Sequence, residues 1–515
     1  MASKILMGDM PELMENIFNN LKNEPNSLYS CALVSRHWCE MSIPILWQDP
    51  FSFNKKPLFI SEYFSSLDED EIYILKEYGI NLKISRKLFN YGKFLKELNL
   101  TNLESKAREW TKLNLVKLIS SKTYFDALVN VVINLLLKLL FESGAVLHKL
   151  DLSFSESFEF KPEIFYSIGR NELLFSRLQH LSLFVMSKIF NIENISIFLK
   201  VLAKNITTIS SLNLVIYSDF EPRLFHSLYH AIIRIIKSQE QLKRFILDGV
   251  DHPTEFYGII SALECQKNSL QEIVIIRCAY NKEFEVLKDC KNLETLRIWY
   301  CSSKLLNLLD CKISTLDVID CPIDVQTIPL ILKNSGLLLQ RLSFEPKNFG
   351  DIHEVVFFLE AIKSFCTNIT YLNIKHIEFS TQLLELIGNL QKLQFLSLCC
   401  YVDNDIPEEE LEIRVMQFAE ILPLTLQYLD LGDNWQPCID ILLSHCNAPL
   451  KKLLIYCLND EKHTRALIEF CIRNKALNYV GICKYSDLDE NFRKEVEAHV
   501  VNVALVPSAR IVVNF

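Results

Sequence analysis

LQRLSF (Leu339–Phe344), ITYLNI (Ile369–Ile374), LQFLSL (Leu393–Leu398) and LQYLDL (Leu426–Leu431) write one six-residue pattern four times. Positions one, four and six are apolar, with Ile, Val or Phe standing in for Leu. The pattern begins earlier, as LKELNL from Leu95, LHKLDL from Leu147, LQHLSL from Leu178 and ISSLNL from Ile209. It continues as LKRFIL from Leu242, LQEIVI from Leu270, LETLRI from Leu293 and ISTLDV from Ile313, and LKKLLI from Leu450 and LNYVGI from Leu477 close the series. These are fourteen copies, and from Leu95 to Leu477 thirteen steps cover 382 residues, a mean period of about 29. Positions four and six lie on one side of a strand, whose side chains alternate. The segments between carry helical spacing, as in FHSLYHAIIRIIKSQ from Phe225 and IHEVVFFLEAIKSFC from Ile352. A single strand-plus-helix unit cannot bury its apolar face, but stacked units bury a continuous core.

The hexamer resembles the signature of leucine-rich repeats. The fold class implied is α/β: a small helical N-terminal domain, then a curved solenoid with a parallel sheet on its concave face. Steps of about 4.8 Å make that inner sheet on the order of 60 Å long. The expected domains are residues 8–51, a helical linker at 52–94, about fourteen repeats at 95–485 and a C-terminal cap at 486–515. In the cap, DENFRKEVEAHVV reads as a helix and ARIVVNF from Ala509 as an edge strand. The repeat consensus puts Asn or Cys just beyond the strand, where Cys278, Cys301, Cys321 and Asn434 stand. The series Cys278, Cys290, Cys301, Cys311, Cys321 therefore follows the repeat period. With no C-x-x-C, no metal site is expected there.

Composition narrows the function. Half of the 515 residues are hydrophobic and 23% are charged, which describes a folding chain. The net charge of −9 argues against nucleic acid or an anionic membrane as partner. FDALVNVVINLLLKLLFE (Phe125–Glu142) is the most apolar stretch, but Asp126, Asn130, Asn134, Lys138 and Glu142 put a polar stripe down one face. A buried helix is expected rather than a membrane span. MASKILMGDMPELMENI lacks the apolar core of a signal peptide. A cytoplasmic location, or one shared with the nucleus, and reduced cysteines are the expectation.

ALVSRHWCEMSIPILWQDPF (Ala32–Phe51) raises a different question, because it is apolar on nearly every side. Before it, Asp9 and Glu12 form a capping-box pattern, and Leu13, Met14, Ile17, Phe18 and Leu21 make a helical stripe. Pro25, Asn26 and Ser27 read as a turn and a second cap. The linker repeats the capping pattern at Asp68 and Glu71, with Gly79 as a stop. The N-terminal block has more apolar surface than three short helices bury among themselves. Its residues MPELMENIFNNL, LYSCALVSRHW and PILW are similar to an F-box. Pro11, Leu13, Ile17, Leu21, Leu28, Cys31, Val34, Ser35, Arg36 and Trp38 stand on matching positions, while Met10 replaces the usual leucine. The resemblance implies a surface for the Skp-type adaptor of cullin ubiquitin ligases, made by those residues other than Arg36. It also implies a substrate receptor of an SCF-type ligase, whose repeats bind a protein substrate. The alternative is a repeat scaffold outside a ligase, using these helices only as a cap.

No catalytic constellation emerges, and no cofactor is expected. The 12 glycines include no phosphate-binding loop. His226 and His230 have zinc-helix spacing, but Ser227 stands where a metalloprotease needs glutamate. Cys399 and Cys400 have no base nearby in sequence. A docking strip is the better candidate. Third positions of the later hexamers are Arg341, Tyr371, Phe395, Tyr428, Lys452 and Tyr479, and Arg297 and Trp299 project the same way from an earlier repeat. Aromatic and arginine side chains commonly anchor protein interfaces.

Overall fold

The computed structural model describes residues 11–80, 82, 89–115, 121–153, 159–185, 192–217, 222–308, 313–322, 327–347, 352–402, 406–432, 435–458, 460–485, 490–499 and 503–511. The chain divides into two compact units, Met1–Leu270 and Gln271–Phe515.

The first unit begins with three short helices, α1 (Pro11–Asn20), α2 (Pro25–Ala32) and α3 (Arg36–Leu46), followed by α4 (Ile60–Phe64) and α5 (Glu69–Glu77). Both halves of the capping box form at α5: Glu71 N donates to Asp68 Oδ1 and Asp68 N to the Glu71 carboxylate. Gly79, at φ +83°, ends the turn beyond it, where a Cβ would be strained. Asp9 lies outside the described residues.

Strand β1 (Glu97–Asn99), α6 (Leu100–Asn114) and α7 (Lys122–Glu142) come next. The 21-residue α7 is, among the described residues, the one helix long and apolar enough to cross a membrane. It is packed instead, with ten residues buried. Every member of its polar stripe is bonded. Asp126 meets Arg108 at 2.6 Å, Lys138 meets Glu71 at 2.5 Å and Glu142 meets Arg170 at 2.8 Å. Asn134 donates to the Asn130 and Glu159 carbonyls and accepts from Lys161 N, while Asn130 accepts from Glu159 N.

Strands β2 (Lys149–Ser153), β3 (His180–Val185), β4 (Ser211–Tyr217) and β5 (Arg244–Val250) complete this unit's sheet. They pair in parallel, hexamer position against hexamer position: Leu150 lies opposite Leu98 and Leu181, and Leu212 opposite Phe245.

The second unit holds β6 (Glu272–Ile276), β7 (Thr295–Trp299), β8 (Thr315–Cys321), β9 (Arg341–Pro346) and β10 (Tyr371–Glu378). It continues with β11 (Phe395–Tyr401), β12 (Tyr428–Asp430), β13 (Lys452–Ile455), β14 (Tyr479–Ile482) and β15 (Ala504–Pro507). Each neighbouring pair is parallel and starts in the same register, which shifts by one residue after Ile319 in β8 and after Lys375 in β10. All fourteen hexamers are thus strands, and every first, fourth and sixth position is at most 5% exposed.

Two features depart from the sequence reading. Three consecutive steps carry 3-10 turns instead of α-helices, Ser261–Gln266 between Leu242 and Leu270, Lys282–Asp289 between Leu270 and Leu293 and Ser303–Leu308 between Leu293 and Ile313, and the last two steps span only 23 and 20 residues. So short a return leaves little chain for a full helix. The last strand is β15, five residues before the expected Ala509, and Ser508–Arg510 form a 3-10 turn. Val503 and Leu505 alternate into the core there and fix the register with β14. Residues 512–515 of the expected strand lie outside the described residues.

Candidate protein-docking surfaces

The N-terminal domain divides its apolar residues between two jobs. Met14, Phe18, Leu28 and Ile45 are its core, with Leu21, Cys31, Trp38, Met41 and Leu46 packed around them. The Trp38 ring meets Phe18 edge-on at 5.4 Å. Ser35 caps α3, its hydroxyl accepting from Trp38 N at 3.2 Å. Leu13 and Ile17, one turn apart on α1, face out at 39% and 45% exposed. Tyr29, Leu33 and Val34 are more exposed still. Of the expected adaptor contacts, Leu13, Ile17 and Val34 are therefore open. Leu21, Cys31 and Trp38 are half-buried, and Ser35 is an exposed cap. Leu28 is fully buried and shapes the surface from beneath. Pro11 begins α1. Leu33 is absent from the set expected from sequence, although its place just before the Ser35 cap, where α2 ends, could have marked it.

The domain's far end is fixed to the linker and the first repeat. Trp47 stacks on Tyr91 at 4.1 Å and meets Tyr63 and Phe59 edge-on, and Phe51 joins the same cluster. The Gln48 carbonyl accepts from Lys96 N and Glu97 N, both at 3.0 Å. Between repeats, the Lys96 carbonyl accepts from His148 N and Lys149 N, and the His148 carbonyl from Gln179 N and His180 N. Gln48 thus takes the place that the second hexamer residue holds in a preceding repeat. Lys22 adds an ion pair to Glu97 at 2.5 Å. The domain caps the array through Trp47 and Gln48 and leaves Leu13, Ile17 and Val34 uncovered.

In the second unit, register sets the third-position residues side by side. The Tyr371 and Phe395 rings stack at 4.0 Å and 10°, and Phe395 and Tyr428 at 4.0 Å and 11°. The Arg341 guanidinium lies 4.6 Å from the Tyr371 ring centre. This narrows how much of the expected docking strip is open to solvent. Parallel in-register strands lie about 4.8 Å apart, close to ring-stacking distance, so the rings cover one another. Tyr371 and Tyr428 are only 5% and 8% exposed, and burial pushes both phenols up. Phe395, Arg341 and Lys452 are half-buried; Tyr479 alone of this row is open, at 44%.

Arg297 and Trp299 also serve the sheet itself. Both donate to Asp317 Oδ2, at 3.4 and 3.1 Å, and Arg297 Nε donates to Glu272. Burial nonetheless pushes the Asp317 carboxyl up, so desolvation outweighs Arg297 and the hydrogen bonds. A carboxyl raised on folding stabilises below its unfolded pKa, and that contribution is lost as pH rises toward the folded value. Asp317→Asn should therefore gain on wild type in thermal midpoint between pH 4 and pH 7. A gap that stays constant or moves the other way contradicts this.

Cysteines 278, 301 and 321 form a spine beside this row. Cys278 N lies 3.3 Å from Cys301 Sγ and Cys301 N 3.4 Å from Cys321 Sγ, and each thiol donates to the carbonyl two residues before it. Burial pushes Cys301 up to about 12 and Cys321 to about 11. Thiols so protonated are poor nucleophiles. A maleimide should modify exposed Cys265 and Cys483 first and reach the spine only on unfolding. Equal rates would contradict this. Cys311 and Asn434 lie outside the described residues. Among the described residues, no three His, Cys, Asp or Glu are placed to hold a metal ion. His226 and His230 pack edge-on at 4.4 Å.

Residues 11–52 match the family model described as F-box-like. No curated protein matches the chain. Among solved structures, the complex of Rad7 and Elc1 in yeast is similar at 14% identity, over 65% of this chain and 82% of that one, with a TM-score of 0.39. A leucine-rich-repeat protein of Leptospira interrogans is similar at 15% identity, over 85% and 98%, with a TM-score of 0.29. The leucine-rich repeat-containing protein LegL7 of Legionella pneumophila is similar at 14%, over 63% and 89%, with a TM-score of 0.31. Residues 11–52 are thus an F-box-like domain, and the hexamer repeats that follow it form parallel strands joined by helices and 3-10 turns.

Proposed function

We propose that this chain is the substrate-recognition subunit of an SCF-type ubiquitin ligase. Its F-box-like helices bind a Skp-type adaptor and, through it, a cullin, and its repeats bind a protein substrate for ubiquitin-dependent degradation. The observation that carries this reading is the outward face of the F-box-like domain. A helix pair serving only as a cap would turn Leu13 and Ile17 toward the array. They face solvent, and the capping is done by Trp47 and Gln48. The chain supplies proximity, and the chemistry belongs to other subunits. A cytoplasmic location, or one shared with the nucleus, goes with this role.

The substrate strip is defined by which third-position residues stay open. Tyr479, with half-buried Lys452 and Phe395, offers side chains to a partner, while Tyr371 and Tyr428 stiffen the surface beneath. Coexpression with a Skp-type adaptor and a cullin tests the ligase reading. The cullin should co-purify on the tagged chain only when the adaptor is present. Adaptor without cullin would reduce the role to adaptor binding, and neither would leave a repeat scaffold.

A further inference from the structure

Basic residues gather in the first unit where β1, β2 and β3 begin. Lys96 and His148 hold the second position of the first two hexamers, and Lys149 and His180 the third position of the second and third. Register sets Lys149 directly opposite His180. Lys149 N donates to the Lys96 carbonyl and His180 N to the His148 carbonyl, which keeps the second positions in line as well. Arg177 stands just before the third hexamer. Lys96, Arg177 and His180 are exposed and form no ion pair among the described residues. The carboxylates nearest the row are already engaged, Glu97 by Lys22 at 2.5 Å and Asp151 by Lys149 at 3.5 Å. The crowding of like charge reaches the half-buried His148: burial first, then Lys96 and Arg177, hold its imidazole below the usual value against the opposing pull of Glu97.

We propose that this basic row docks an acidic segment of a partner protein, a run of Asp and Glu side chains laid across the starts of β1, β2 and β3. Exposed cations without carboxylate partners stand out on a chain whose net charge is −9, and a negative partner would relieve their mutual repulsion. The cations are set out strand by strand, about 4.8 Å apart, which suits carboxylates spaced along an extended chain at about 3.4 Å per residue. A single phosphate group is best held by donors that converge on one point. Nucleic acid would bring its charge to a chain that repels it elsewhere. The surface lies apart from the strip of Tyr479 and Lys452 in the second unit, and its use does not depend on the adaptor.

Fluorescence anisotropy of labelled octaglutamate, titrated with the full chain and no adaptor, tests this beside labelled octaserine and a single-stranded DNA 12-mer. Octaglutamate should bind at least about tenfold more tightly than octaserine, and weaken several-fold between about 50 and about 300 mM salt. Lys96→Gln with Arg177→Gln should weaken octaglutamate about tenfold. Both side chains are exposed, so the thermal midpoint should match wild type. Lys282→Gln with Lys291→Gln removes the same charge from exposed positions of the second unit and should leave octaglutamate binding as it is. Four results would each overturn the proposal. One is no octaglutamate binding up to about 1 mM chain at the lower salt. Another is equal binding of octaglutamate and octaserine. The third is a loss that both double variants share, or that neither shows. The fourth is DNA bound more tightly than octaglutamate and weakened by the Lys96 and Arg177 pair, which would make the row a phosphate-backbone contact.

Discussion

Replacing both Leu13 and Ile17 by Asp should weaken binding to a Skp-type adaptor at least about a hundredfold and leave the fold intact. Both side chains are exposed on α1, while the core residues Met14 and Phe18 on the same helix point away. A charge at position 13 or 17 therefore buries nothing in the free chain. In a complex it would be desolvated without a partner. The thermal midpoint and circular dichroism should match wild type, which separates a binding defect from an unfolded domain. Leu28→Asp serves as the opposite control. It puts a carboxylate into the core and should lose binding through unfolding of the three helices. Adaptor affinity that the double substitution leaves unchanged would move the interface elsewhere on the domain.

The second large effect concerns how the F-box-like domain is held. Trp47→Ala removes the stacking on Tyr91 and the edge contacts to Tyr63 and Phe59. The half-buried site puts the cost at about 3 kcal/mol, below that of a fully buried tryptophan. Because Gln48 is the next residue, the loss should reach its two backbone hydrogen bonds. Hydrogen exchange at Lys96 and Glu97 amides should speed up in the variant, while amides of β10–β12 stay as protected as in wild type. Trp47→Phe, which keeps a ring against Tyr91, should recover most of the protection. Unchanged exchange at Lys96 and Glu97 in Trp47→Ala would show that the cap rests on something other than this cluster.

Much of this architecture can be read in the chain because its information is local. The hexamer states its own burial: each first, fourth and sixth residue that reads as apolar is inside. The polar stripe of α7 likewise signals a helix with a bonded face, though not its partners Arg108, Glu71 and Arg170. The capping box at Asp68 is a four-residue signal and forms as written. What fails to show depends on neighbours about 30 residues away in sequence. The stacking of Tyr371, Phe395 and Tyr428 needs three strands in register. Viewed one repeat at a time, each ring looks like an exposed anchor. Arg297 and Trp299 read as contacts on the same ground, and only the position of Asp317 on the next strand shows them engaged. In the F-box-like domain, helical spacing marks one apolar stripe on α1. Only the packing of α3 against it divides Met14 and Phe18 from Leu13 and Ile17. Gln48 carries no sequence signal for its role, since a carbonyl acts there and any residue has one.

The most direct measurement is the mass of the complex in solution. The chain is mixed with purified Skp-type adaptor and passed over a sizing column with light scattering. A single species of one chain and one adaptor is expected, replaced by two separate peaks when Leu13 and Ile17 are both Asp. Two separate peaks with the wild-type chain, folded by circular dichroism, would contradict adaptor binding and leave the N-terminal helices as a cap on a repeat protein.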